Sequence, residues 1–367
     1  MSKPLAVFFS DPHLNRVWSA HTIPTTRERL TEAYYLPVQE LIAKYADKGV
    51  KLMCGGDWFD RAHNPEKVIQ RSAALLKRVT VTVAGNHDHV NRDQAITSLA
   101  LLGNLDEDLS HQLSINPDHL NETSVDLHFI SDEVDLFTVP HHATQALFEA
   151  ALFEAAAAAK TTRATHRILM THCNVGDPGG GKPDSNLYLT PALQQALGET
   201  FDYILVGHEH VPRRIGEKVI VMGSTQPCNF GELGCDRSAW ELHLRDGDLT
   251  IERVSLATQL RSTRITLNSE ADMQRQAGEV PDLVHLVGVM PVTASKQVQR
   301  LVKSLYERGA LAVKLDINFT SGTVVDGEAV QGSMSNLLDV VRGEIQGNKD
   351  WTRIFNDTLA KINEERA

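Results

Sequence analysis

Six short apolar runs in this chain each end abruptly on residues that can hold a cation or move a proton. They are "LAVFFS" into Asp11, "VKLMC" into "GGD", "VTVTVAG" into "NHD", "DLFTV" into "PHH", "HRILM" into "THC" and "DYILV" into "GHEH". Short continuous apolar runs are the pattern of strands covered on both faces. A chain built this way must lay helices or a second sheet over those strands. The polar residues that follow then collect at strand ends, where α/β proteins bind their ligands.

Helical patterns separate several of the runs. Pro37 opens a helix with Val38, Leu41, Ile42 and Tyr45 on one face. Asn64 followed by Pro65 predicts another start, with Val68, Ile69, Leu75 and Leu76 buried behind it, and Thr190 with Pro191 repeats the signal. Residues 146–160, "ALFEAALFEAAAAAK", are helical by alanine propensity. The alternation predicts a layered α/β architecture. After "GSTQPCNFGE" at 223–232 the pattern changes, and "SAWELHLRDGDLTIERVSL" reads as a β-hairpin turning at 246–248.

The last hundred residues read as a separate unit. "DLVHLVGVMPV" is strand-like, Ser295 caps a helix carrying Val298, Leu301, Val302 and Leu305 with Gly309 as its stop, and "ALAVKLDINF" alternates. Two helical stretches follow, at 335–346 and 350–364, the second with Trp351, Ile354, Phe355, Leu359 and Ile362 as a stripe. The expected division is 1–260, 261–333 and 334–367.

Composition narrows the class. With 42% hydrophobic and 23% charged residues, the chain is that of a globular protein. No run of 18 apolar residues predicts a membrane span. The first residues reach Asp11 almost at once and lack a signal-peptide pattern, so they read as a first buried strand. Cys54, Cys173, Cys228 and Cys235 form no CxxC pair and fit a cytosolic setting, and Cys173, beside His172, reads as a buried thiol rather than a ligand. The net charge is −11, and residues 1–260 carry 23 Lys and Arg against 33 Asp and Glu. This excess counts against a simple basic nucleic-acid binder.

The residues at the strand ends share one grammar. "SDPH" offers Asp11 and His13, "GGDWFD" offers Asp57 and Asp60, "GNHD" offers Asn86, His87 and Asp88, "THCN" offers His172, and "GHEH" offers His208 and His210. On extended backbone, residues two apart point the same way, which predicts that Asp11 and His13, and likewise His208 and His210, line one cavity. Glycines 56, 85 and 207 are expected to let the backbone turn sharply beside them. Oxygen and nitrogen donors without thiolate suit manganese, iron or zinc better than calcium. Seven ligands drawn from these ten residues would already exceed the needs of one tetrahedral ion, whereas two ions about 4 Å apart would use them, with Asp57 as the natural bridge.

This ordered set resembles the calcineurin-like metallophosphoesterase superfamily over residues 5–232. It is most similar there to the SbcD-type DNA nuclease subunit, including its phage counterparts, and the Gly-Ser…Phe-Gly-Glu stretch at 223–232 adds to that likeness. The resemblance implies a layered metallophosphoesterase β-sandwich flanked by helices, with a small C-terminal α/β capping domain. It implies one ion held by Asp11, His13, Asp57 and His210, and another held by Asp57, Asn86, His172 and His208. The ions would be manganese foremost, with magnesium, iron or zinc as alternatives. His87 would be a proton donor beside the phosphate rather than a ligand, with Asp88 orienting it and Asp60 supporting His13. DNA, an SMC-like ATPase and a second copy of the chain would be the partners, with no membrane, in the cytoplasm or a host's cytoplasm for a phage protein. The implied activity is 3′-to-5′ exonuclease cleavage with some endonuclease cleavage. A small-molecule phosphodiesterase or protein phosphatase, and a non-catalytic ATPase scaffold, are the competing readings.

Around the motif loops, Arg16, Arg61, Arg92, Lys182, Arg213 and Arg214 are candidate phosphate contacts. Trp18 and Trp58 are candidates for base stacking, with core packing the stronger reading for Trp58. His141, His142, His89 and Glu209 read as loop residues outside the ligand set. The stripe from Trp351 to Ile362 either packs on the capping domain or binds the root of the ATPase coiled coil.

Overall fold

A computed structural model describes residues 3–18, 20–89, 96–116, 121–177, 187–274 and 278–320. The expected helices at 335–346 and 350–364, the segment 334–367, Arg92 and Lys182 lie outside these.

In chain order the strands are β1 (Ala6–Phe9), β2 (Lys51–Cys54), β3 (Val81–Val83), β4 (Leu113–Ser114), β5 (Asp126–Ser131) and β6 (Val134–Val139). Next come β7 (His166–His172), β8 (Asn174–Val175), β9 (Tyr188–Leu189), β10 (Tyr203–Gly207), β11 (Arg213–Ile215) and β12 (Val219–Val221). The hairpin β13 (Ser238–Arg245) and β14 (Asp248–Ser255) follows, then β15 (Ser262–Leu267), β16 (Leu283–Pro291) and β17 (Ala312–Thr320). The helices are α1 (Pro24–Ala33), α2 (Leu36–Lys44), α3 (Glu66–Leu76), α4 (Ser98–Leu105), α5 (Glu107–Ser110), α6 (Gln145–Ala159), α7 (Pro191–Gly198), α8 (Glu270–Gln274) and α9 (Ser295–Glu307).

The six apolar runs are all strands, but they divide between two mixed sheets. One has the order β14-β13-β1-β2-β3-β4, the other β11-β12-β10-β7-β6-β5. Within each sheet the motif-bearing strands are parallel: β1 with β2 and β2 with β3, β6 with β7 and β7 with β10. The sheets face each other through Phe8, Met53 and Val83 on one side and Leu136, Met170, Leu205 and Ile220 on the other. The outer face of the first sheet, with Val7, Phe9 and Leu52, is covered by Val38 and Leu41 of α2 and Leu76 of α3. Phe148 and Leu152 of α6 and Leu193 of α7 cover Val139, Leu169 and Val206 of the second. This double burial is why the strands lack alternation. The result is the expected layered α/β sandwich flanked by helices.

Local chemistry accounts for several boundaries. The Thr190 side chain accepts from the Leu193 N–H and Pro191 takes the first helical position, as expected. At α3 the cap falls on Pro65, and Val68, Ile69 and Leu75 are only half-buried against the core, with Leu76 buried. Asp246 and Gly247, at φ 55° and 87°, form the two-residue turn between β13 and β14. Positive φ at both positions marks the turn whose twist matches a hairpin.

By contacts the chain divides into two units. The first takes in residues 1–264, 280–285 and 309–314 and holds every candidate site residue discussed below that the structure describes. The described residues of the second are 265–274, 278–279, 286–308 and 315–320, and in it α9 buries Val298, Leu301 and Leu305. Strands β15, β16 and β17 form a three-stranded sheet in that order. Among the described residues no helix is long and apolar enough to cross a membrane.

Candidate metal centre

The loops leaving β1, β2, β3, β7 and β10 meet at one end of the sandwich. Asp11, His13, Asp57 and His172 are buried there, with Asn86, His208 and His210 at the rim. The expectation that Asp11 and His13 converge through extended backbone is corrected by their φ values of 51° and 43°. Asp57 at 48° and His208 at 86° are left-handed too. An L residue pays about 1–3 kcal/mol to stay in such a conformation, so surrounding contacts must hold it. Those contacts are visible: Asp11 N–H donates to Gly56 O at 3.1 Å, His13 N–H to Asp57 O at 3.0 Å, and both Asp11 carboxylate oxygens accept from His208 N–H at 3.1 Å.

Two groups of donors result. In the first, His13 Nε2 lies 3.1 Å from His210 Nε2, 3.9 Å from Asp11 Oδ1 and 3.7 Å from Asp57 Oδ2. His210 Nε2 is 3.8 Å from Asp11 Oδ1. In the second, Asn86 Oδ1 lies 3.1 Å from His172 Nε2 and 2.9 Å from His208 Nδ1, and His172 Nε2 is 3.4 Å from Asp57 Oδ2. Asp57 Oδ2 is therefore the oxygen that both groups share. Ligands about 2.1 Å from one ion stand roughly 3.0–3.4 Å apart, so both groups need little contraction.

The donor chemistry itself fits cations. His172 Nδ1 lies 2.9 Å from the Gly55 carbonyl, which only accepts, so Nδ1 carries the proton. A neutral His172 then turns its Nε2 lone pair toward two oxygens. His210 Nδ1 is 2.8 Å from Glu232 Oε1, which likewise leaves its Nε2 lone pair facing the His13 ring. Lone pairs gathered on lone pairs are reconciled by a cation, and a carboxylate or carbonyl behind each ring is the usual way such a ligand is oriented.

Without a cation, protons take that place. Burial works against charge on His172 and His210. It is outweighed for His172 by Asp57, which raises the ring to about 9, and for His210 chiefly by Cys228 and Glu232, which raise it to about 10. Burial also resists charge on Asp57, but His172, His13 and His87 hold its carboxyl well below the usual range. Burial and then the neighbouring His172 push His208 down to about 4.

His87 stands at the edge of this cluster. Its backbone N–H donates to Asp57 Oδ1 at 2.9 Å, and its Nδ1 donates to the Asp60 carbonyl at 2.8 Å. Its ring centroid is 4.9 Å from that of His13. A ring nitrogen of His87 also lies within 4.8 Å of donor atoms on His13 and Asp57, so proximity alone does not separate ligand from proton donor.

Asp88 does not orient the His87 ring. Its carboxylate accepts from Trp58 N–H at 3.1 Å, Phe59 N–H at 3.2 Å and Gly85 N–H at 3.0 Å, tying the β2 and β3 loops together. Burial, then Asp57, raises that carboxyl to about 7 against those three donors. Asp60 accepts from Arg16 and lies 3.5 Å from His13 Nδ1, on the side expected.

Several candidate phosphate contacts are engaged elsewhere. The Arg16 guanidinium holds Asp60 and the Cys228 carbonyl. Arg213 pairs with Glu209, whose other oxygen accepts from Val175 N–H at 2.6 Å. Arg214 donates to the carbonyls of Glu217 and Ile251, both at 3.0 Å. Arg61 is exposed. Trp58 is buried in the core and Trp18 donates to Tyr34 Oη at 2.7 Å, so neither ring is presented for stacking. His142 is buried, with Nδ1 on Pro140 O at 2.8 Å and Nε2 accepting from Ser124 N–H at 3.2 Å.

Two residues at the centre carry no spacing signal in the sequence. Glu232 accepts from His210, from Cys228 N–H at 2.9 Å and from Arg237 at 3.4 Å. Arg237, fully buried, also donates to His210 O at 2.7 Å and Ser224 Oγ at 2.9 Å. Glu232 ends the 223–232 stretch, which marks a likeness without revealing this contact.

A family model described as calcineurin-like phosphoesterase matches residues 6–212, more than half the chain. The chain belongs to that family. Metallophosphoesterases hydrolyse phosphoesters at a dimetal centre, and the clustered donors of this chain are its candidate ligands. No curated protein matched the sequence. Solved structures are similar at low identity. A putative 5'-nucleotidase from Staphylococcus aureus, in complex with alpha-ketoglutarate, is 12% identical with a TM-score of 0.42; the match covers 82% of this chain and 57% of that one. A dimetal phosphatase from Danio rerio is 10% identical with a TM-score of 0.44, over 70% of this chain and 98% of that one. A phosphopantetheinyl hydrolase from Mycobacterium tuberculosis is 12% identical with a TM-score of 0.33, over 75% and 93%.

Proposed function

We propose that this metallophosphoesterase is a DNA nuclease of the SbcD type, cleaving phosphodiester bonds with two divalent ions. Asp11, His13, Asp57 and His210 would hold one ion; Asp57, Asn86, His172 and His208 would hold the other. Bound there, the ions supply positive charge to the phosphoryl oxygens and lower the pKa of water. His87, fixed through Nδ1 by the Asp60 carbonyl, is left with Nε2 to protonate the departing sugar oxygen. Asp57 and Asp88 hold the loops of His87 and Trp58 in register.

The observation that carries the nuclease reading is Glu232 on His210. The Gly-Ser…Phe-Gly-Glu stretch, which adds to the SbcD likeness, contributes directly to orienting a candidate ligand. Manganese as the metal, 3′-to-5′ polarity, an SMC-like ATPase partner and a homodimer follow from that likeness alone. The proposed division keeps 1–260 as the catalytic domain, 261–333 as a DNA cap and 334–367 as the ATPase contact.

A small-molecule phosphodiesterase is the second reading. It is favoured by the net charge of −11 and by the internal pairing of Arg16, Arg213 and Arg214. End-labelled duplex DNA and a simple aryl phosphodiester, each given to wild-type and His87→Ala protein with manganese, separate the two. DNA cleavage lost in the variant supports the nuclease. Ester turnover with no DNA cleavage, even with the ATPase present, assigns the site to small esters.

A further inference from the structure

Sequence spacing gives Cys228 no role, yet the fold brings its thiol to the centre. One ring nitrogen each of His13 and His210 and the Cys228 Sγ all lie within 4.8 Å of one another. The thiol is buried, and the residue is clamped on both sides. Its N–H donates to Glu232 Oε2 at 2.9 Å and its carbonyl accepts from Arg16 Nε at 3.0 Å. The same two residues reach the neighbouring rings: Glu232 orients His210, and Arg16 holds the Asp60 carboxylate beside His13. The His13 ring is fully buried, with Nδ1 facing the Asp60 carboxylate at 3.5 Å and Nε2 turned toward His210 at 3.1 Å.

We propose that Cys228 gives the ion held by Asp11, His13 and His210 a thiolate ligand, so that the two ion positions differ in softness. The inference rests on the two-ion reading above and adds a sulfur donor to it. On binding, the Sγ–H bond breaks, a metal–sulfur bond forms and the proton leaves to solvent; no oxidant or reductant is needed. One position then offers nitrogen, oxygen and sulfur, and the other nitrogen and oxygen only. Thiolate selects borderline metals such as zinc, iron and cobalt over magnesium and manganese. The sulfur-bearing position is thus a selective site, while the position at Asn86, His172 and His208 accepts harder ions.

Cobalt(II) loaded into the full chain reads this directly. Wild type is expected to bind two ions and show a near-ultraviolet sulfur-to-cobalt charge-transfer band. Cys228→Ser should lose that band while keeping the visible bands of nitrogen- and oxygen-bound cobalt. The preference for zinc over manganese, read by competition, should also fall in the variant. Two bound cobalt ions with no charge-transfer band, or a band that survives Cys228→Ser, overturns the thiolate and leaves the two-ion reading standing. Wild type that binds no metal overturns both. If Cys228→Ser fails to fold, X-ray absorption of zinc-loaded wild type decides: a sulfur scatterer supports the proposal, and a shell of nitrogen and oxygen alone overturns it.

Discussion

His172 and His210 show how single hydrogen bonds prepare this site: each gives one nitrogen to the protein so that the other faces the cluster. In the metal-free protein their raised pKa values, about 9 and about 10, keep both rings protonated at neutral pH. That protonation stabilises the metal-free fold fully below pH about 6.5 and is lost as pH rises through about 9 to 10. Metal must displace those protons, so affinity should climb with pH across the neutral range. Calorimetric titration with manganese in buffers of different ionisation enthalpy should show proton release; pH-independent binding would contradict it. Glu232→Gln keeps the shape but weakens the grip on His210 Nδ1, and metal affinity should fall about 10- to 100-fold by equilibrium dialysis. His87→Ala should leave metal content and melting unchanged while hydrolysis drops by about 10²–10⁴. Retained turnover would remove His87 from the chemistry. The sequence made these rings legible as a set, because a His or Asp after an apolar run is a chemical signal in itself. Glu232, Arg237 and Cys228 were not legible, since their roles come from a loop folding back onto His210 and nothing in local spacing announces that.

At the level of elements, the six strands could be read because burial on both faces removes alternation. Their division into two sheets could not, because an apolar run specifies burial and not the neighbour it pairs with. The glycines are a similar case. Gly56, at φ 120°, does supply a turn unfavourable to other residues. Gly85 is extended at φ −92°, ψ −175°, and is required for another reason: a Cβ there would run into Asp57 Oδ1 and the Asp57 backbone. At Gly207 it would run into the Gly55 carbonyl and Ser10 Oγ. These glycines let strand ends, neighbours in one sheet at Gly85 and from opposite sheets at Gly207, approach closely enough for their side chains to share ions. Gly207→Ala presses on backbone that cannot rotate away, and a loss of about 1–3 kcal/mol in denaturant unfolding is expected. Gly85→Ala pushes on the shared Asp57 carboxylate and should lower metal occupancy as well as stability. An alanine at 85 with full occupancy by two ions would show that the loops have more room than their contacts indicate.

For the whole molecule, charge and site pull in different directions. A net charge of −11 surrounds a centre built to receive an anion, and Arg16, Arg213 and Arg214 are engaged within the fold. Long-range attraction for a polyanion is therefore weak, and the ions themselves supply most of the local positive charge. A DNA substrate would be gripped at few phosphates by this chain alone. Each phosphate neutralised on duplex DNA costs about three- to fourfold in affinity for a fourfold rise in salt. The KM for a short labelled duplex should thus rise only about tenfold from low to fourfold higher salt, which corresponds to roughly two phosphates. A singly charged aryl phosphodiester should show almost no change under the same conditions. A steep salt dependence, equivalent to six or more phosphates by the same relation of roughly 0.9 log units per log of salt, would mean that the chain carries its own DNA-binding surface. In that case a partner would not be needed to hold the substrate.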